Sequence, residues 1–195
     1  MIENNVNRYQ RLVENIPDPE IIKLQTEVKP SGPKSLDNLL IKNGVEQVDL
    51  LSIDIDSDDL LVWEGVQRFR PKIVVIEYNP TIPFDTYYVN PVGECHGNSA
   101  LSITQSAEDR GYILLEGTNT NLVFLLDGIA DTVDFRCKTL QQIRDQTTNY
   151  RIFVSNDGTL LHDLKLLDEA EVSKIFPIPF ALGFGIQPLP ALNLT

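Results

Sequence analysis

Val48-Asp49-Leu50-Leu51-Ser52-Ile53-Asp54-Ile55-Asp56-Ser57-Asp58-Asp59-Leu60 and Arg70-Pro71-Lys72-Ile73-Val74-Val75-Ile76-Glu77-Tyr78-Asn79 decide the reading of this chain. Residues 48–54 are a mostly apolar run of strand length. Such a run predicts a strand buried on both faces of a parallel sheet. Residues 72–77 predict a second strand of the same kind. Between them, Ser57 to Arg68 predicts a helix with Leu60, Leu61, Trp63 and Val66 inward. Strand, helix and strand in this order predict a parallel pair with a right-handed crossover.

Upstream, Val6, Tyr9, Leu12, Val13 and Ile16 share one helix face, and Pro17 and Pro19 stop that helix. Ile2-Glu3 is too short to be read as a strand by itself. Glu20 to Val28 reads as a strand, and Ser35 caps a short helix through Ile41 that ends at Asn43-Gly44. Downstream, residues 78–98 form a long loop, and loops of that length in compact domains are usually functional. Ser99 to Arg110 predicts a helix closed by Gly111. Residues 112–115 and 122–126 predict two strands joined by a short turn, so one strand runs antiparallel. Residues 20–28, 48–54 and 72–77 are expected to be parallel strands of one sheet. The fold class is therefore α/β, and residues 1–129 form its domain. Residues 130–195 are an extension packed on it, with a helix at 139–145, a strand at 150–154 and a short helix at 169–175. The uncharged, proline-bearing tail from Ile175 is expected to pack on the body.

The chain has 195 residues and a formal net charge of −12. That balance argues against nucleic acid, whose phosphates need a basic face, and against polybasic membrane attachment. No apolar run approaches the ~20 residues of a spanning helix. Met1 to Asn5 carries neither a basic nor an apolar leader region, so a cytoplasmic protein is expected. Cys95 and Cys137 form no CxxC pair and read as free thiols. No GxSxG or Walker loop is present, which argues against hydrolases and NTPases.

The densest polar cluster is Asp54, Asp56, Asp58 and Asp59. In open α/β sheets, ligands bind outside the carboxyl ends of the strands. Asp54 sits at such an end, and a carboxylate there needs a partner. Glu77-Tyr78-Asn79 opens at the same edge. Asp58 and Asp59 have a plainer reading, as residues favouring a helix N-terminus. An EF-hand does not fit, because its sixth place holds Asp59 and its twelfth Gly65. His96, in the long loop, reads either as a general base or as a solvated loop histidine.

The two quoted strands together closely resemble FkbM-type methyltransferases, over about residues 1 to 127. Gly97-Asn98-Ser99-Ala100-Leu101 also looks like the segment opening the next helix in that family. The resemblance implies a Rossmann-like sheet of the class I type, mostly parallel with one antiparallel strand. It implies S-adenosylmethionine as cofactor, with Glu3 binding ribose and Asp54 facing the methionine end. It places the first strand and its glycine-rich turn before Met1 and outside this chain, so neighbouring strands would lose the partner between them. The reaction implied is O-methyl transfer to a sugar or other small metabolite, with His96 or Asp54 orienting the acceptor. A further likeness, to metal-dependent O-methyltransferases, implies magnesium at Asp54, Glu77 and Asn79. The rival expectation is a non-catalytic binding or accessory domain of the same fold.

Overall fold

The computed structural model describes residues 1–130 and 136–146 and the strand residues 152–154, 160–162 and 165–166. The chain divides into two compact units, Met1–Thr147 and Thr148–Thr195. The first unit runs past residue 129 because Ile143, from a late helix, is fully buried in its core. The expected helix at 169–175 and the packing of the tail lie outside the described residues.

In chain order the first unit holds β1 (Ile2–Glu3), α1 (Val6–Asn15), β2 (Leu24–Gln25), α2 (Leu36–Lys42), β3 (Leu50–Ile53) and α3 (Asp59–Glu64). It continues with β4 (Ile73–Glu77), α4 (Ala100–Asp109), β5 (Tyr112–Gly117), β6 (Asn121–Leu126), α5 (Asp127–Ala130) and α6 (Leu140–Gln146). The second unit contains β7 (Ile152–Val154), β8 (Leu160–His162) and β9 (Lys165–Leu166), which form their own antiparallel sheet.

The first unit is α/β with two sheets, where one was expected. β1 and β2 form a parallel pair. β3, β4, β6 and β5 form a second sheet in that order, with β3 parallel to β4 and β6 antiparallel to both β4 and β5. The antiparallel placement of 121–126 therefore agrees with its short turn. The strand expected over 20–28 shrinks to Leu24–Gln25 and pairs with β1 in place of the second sheet. Its length is limited by its partner, since β1 offers only two residues.

The second sheet builds the core on one face. Cross-strand register lines up Leu51, Val74, Phe124 and Leu114, and beside them Ile53, Ile76 and Leu122. All seven are buried. Trp63 of α3 closes this face, 5.6 Å from the Phe124 ring and 5.5 Å from that of Tyr112. The expectation that residues 48–54 are buried on both faces is corrected: Leu51 and Ile53 are buried, whereas Leu50 and Ser52 are exposed. That pattern belongs to a strand covered on one side only. α3 is shorter than the expected 57–68, and Val62, not Leu61, is its buried partner to Trp63. Gly65 ends it against Pro30, leaving no room for a side chain.

Candidate functional site

The carboxyl ends of β1, β2 and β3 open on one cleft of about 170 Å³, walled in part by Glu3, Asn4, Thr26, Asp54 and Asp56. A second cleft, of about 190 Å³, lies between the β3–α3 turn, the end of β4 and the long loop. Its wall includes Glu77, Asn79, Cys95 and His96, and Asp56 belongs to both clefts. Glu3 and Asp54, expected to share a cofactor, thus meet in the first cleft. His96, expected near the acceptor, stands in the second.

Local turn chemistry explains how four aspartates fit into six residues. Asp59 is almost wholly buried and accepts the backbone N–H groups of Ile55 at 2.8 Å and Ser57 at 3.0 Å. Burial still pushes its carboxyl up, against those backbone bonds, which pull it down. Asp58 is also buried and reaches across to the long loop, accepting from Gly93 N–H at 3.0 Å and the Asn90 amide at 3.4 Å. It makes no side-chain bond to its own helix. These two residues are structural, though by tying turns and loops more than by capping the helix.

Asp54, Asp56 and Glu77 are left over. Asp54 and Asp56 are exposed, Glu77 is half-buried, and one carboxylate oxygen from each lies within 4.8 Å of the others. Asp56 sits in left-handed backbone with φ 61°, where aspartate is among the tolerated residues. Burial, then the charges of Asp54, Asp59 and Asp56, push the Glu77 carboxyl from its ordinary 4.5 to about 7. Hard oxygens so placed could hold a divalent cation, although exposed acidic groups often cluster without one.

Asn79 reaches the same cleft, but its amide is committed elsewhere. Its Nδ2 donates to the His96 carbonyl at 2.6 Å, and its Oδ1 accepts from Thr81 N–H at 2.9 Å and Thr81 Oγ at 2.6 Å. Asp56 therefore stands where the sequence suggested Asn79. The signal for this was present, since Asn79-Pro80-Thr81 is turn-forming and an asparagine there bonds its own backbone. Asn90, which sequence reasoning did not single out, is the hinge pin of the loop. Its N–H donates to Asn98 Oδ1 at 2.8 Å, its amide to Glu94 carbonyl at 2.7 Å, and its Oδ1 accepts from His96 N–H at 3.1 Å. The His96 ring remains exposed, with Nε2 3.7 Å from Glu94.

Set against protein-family models, curated proteins and solved structures, the chain matches none. Among the described residues, no helix is long and apolar enough to cross a membrane.

Proposed function

We propose that this chain is a Rossmann-like, methyltransferase-type domain of FkbM character, serving O-methyl transfer to a sugar or other small metabolite from S-adenosylmethionine. The observation that carries the reading is the first cleft. Three strand ends surround it, with Glu3 and Asp54 on its wall. The strand orders 2-1 and 3-4-6-5 support it, because ligands of open α/β sheets bind at such carboxyl ends. When bound, S-adenosylmethionine supplies an electrophilic methyl group. The chain's own work is positioning and proton handling. Glu3, its carboxylate steadied by the Asn5 N–H at 2.8 Å, would accept ribose hydroxyls. Asp54 would face the methionine end. His96 or Asp54 would orient the acceptor hydroxyl and take its proton, with Asp56 on the wall common to both clefts. Magnesium at Asp54, Asp56 and Glu77 belongs to the same proposal.

A second reading, a non-catalytic binding or accessory module, is favoured by the separation of β1 and β3 into different sheets. A cofactor site spanning two sheets is held less firmly than one inside a single sheet. No glycine lines the first cleft among the described residues, and the glycine-rich turn that the resemblance implies would supply several hydrogen bonds, worth about 3–5 kcal/mol or roughly 10²- to 10³-fold in affinity. The chain by itself should therefore bind S-adenosylmethionine near the millimolar range. Ligand-observed NMR reads binding that weak. Saturation transfer that disappears in Glu3→Gln and Asp54→Asn supports the reading. No transfer at several millimolar, or transfer indifferent to both substitutions, would sink it.

A further inference from the structure

We infer that Arg8 recognises a carboxylate, and that the first cleft suits a zwitterion of the amino-acid kind, with its acid end at Arg8 and its ammonium end at Asp54. The inference rests on the methyl-transfer reading and adds to it the group that fixes the amino-acid end of the ligand.

Several charged side chains on the wall of the first cleft are already answered within the chain. Glu27 pairs with Lys29 at 2.6 Å and with Lys34 at 3.5 Å. Asp58 is buried and accepts from Gly93 and Asn90. Glu3, Asp54 and Asp56 remain on the acidic side, and Arg8 remains on the basic side. Arg8 stands near the start of α1. Its backbone N–H donates to Asn5 Oδ1 at 3.1 Å and helps to fix that end of the helix. Its guanidinium is exposed and makes no ion pair or hydrogen bond among the described residues.

A cation and three carboxylates thus share a cleft of about 170 Å³ without closing on one another. Opposite charges held apart in this way set up a field along the cleft, and a dipolar ion laid along that field is attracted at both ends. A simple anion such as phosphate is drawn by Arg8 and repelled by Glu3, Asp54 and Asp56. A simple cation meets the reverse. A carboxylate and an ammonium on one small molecule answer both sides. The guanidinium suits the acid end, because its planar fork takes the two oxygens of a carboxylate together. Asp54 suits the ammonium end, and Glu3 is left for the ribose hydroxyls.

The test compares two compounds that differ only in that carboxylate, S-adenosylhomocysteine and its decarboxylated amine. Both are titrated against the full 195-residue chain by ligand-observed NMR, with a chelator to keep divalent cations off Asp54. Wild type should bind the carboxylated compound about tenfold more tightly, the effect of one charge-assisted hydrogen bond at an exposed site. Arg8→Gln should bring the two compounds within about twofold. Arg8→Lys should keep most of the preference, and Arg8→Glu should reverse it. The Arg8 side chain makes no bond that the fold needs, and unchanged far-UV circular dichroism checks this for each variant. Equal binding of the two compounds by wild type, or a preference that survives Arg8→Gln, overturns the inference and leaves the methyl-transfer reading standing. Binding of neither compound at several millimolar overturns both.

Discussion

Glu77→Gln isolates the electrostatic strain at the acidic edge. Glu77 ends β4, half-buried, with Asp54, Asp56 and Asp59 facing it from the β3–α3 segment and His96 and Cys95 from the long loop. A carboxyl displaced from 4.5 to about 7 is disfavoured as an anion by roughly 3 kcal/mol at most. Glu77 is only half-buried, so water screens much of this, and about 1 kcal/mol is the realistic penalty. Glutamine keeps the shape and removes the charge. The sign follows from linkage. The folded-state value lies above the unfolded one, so the folded state binds more protons between about 4.5 and 7. Wild-type stability from this source therefore falls as pH rises through that window, and the glutamine variant does not share the fall.

The assay is urea unfolding at pH 4.5 and at pH 8, in low salt with a chelator, since a divalent cation would relieve the same repulsion. Glu77→Gln should be about 1 kcal/mol more stable than wild type at pH 8 and nearly equal to it at pH 4.5. The gain should shrink in an Asp56→Asn background, because the two charges interact, and in high salt. Equal or lower stability of the variant at pH 8 would refute the reasoning. A pH-independent difference would do so too, as it would report packing instead of charge.

The other expectations concern anchoring, packing and metal. Asp58→Ala should cost about 2 kcal/mol, because it leaves the Gly93 N–H without its acceptor and removes one of those of the Asn90 amide. It should also speed hydrogen exchange across 88–98, and unchanged exchange there would count against Asp58 as the loop's anchor. Gly65→Ala should cost about 3 kcal/mol or more, read as a fall in urea midpoint, because the new Cβ overlaps the backbone oxygen of Pro30. Magnesium at millimolar concentration should raise the melting temperature of wild type and not of Glu77→Gln, and equal shifts in the two would remove the metal from the proposed function.

The parts of the fold that were legible in sequence are those set by short-range pattern. Residues 72–77, 112–115 and 122–126 are apolar runs between turn residues, and each is a strand. The turn at Gly117–Asn121 is too short for a crossover, so it fixed the antiparallel sense of β6. What failed depended on distant partners. Glu20 to Lys23 has strand-like composition, yet strand pairing there begins only at Leu24, where the two residues of β1 run alongside. Ser57 to Arg68 is helical in pattern, yet the helix closes at Glu64 because Gly65 must pass close to Pro30. Leu50 and Ser52 are exposed, and no local pattern reports whether the second face of a strand is covered.

The acidic edge shows why composition located the site but did not divide its labour. Asp54, Asp56 and Glu77 look alike in a sequence, where Asp58 and Asp59 read as residues favouring a helix N-terminus. In the structure they part according to whether the chain itself supplies hydrogen-bond donors. Asp59 spends its oxygens on Ile55 and Ser57, and Asp58 accepts from Gly93 and Asn90. A buried carboxylate survives only with such donors, so these two were bound to be structural once buried. Asp54, Asp56 and Glu77 converge on one another instead, and burial with the neighbouring charges displaces the Glu77 carboxyl upward. A fold gains nothing from placing like charges together, and the left-handed backbone at Asp56 adds a further cost at the same point. Two unfavourable features at the carboxyl ends of β3 and β4, beside two clefts, support the proposed ligand role of this edge.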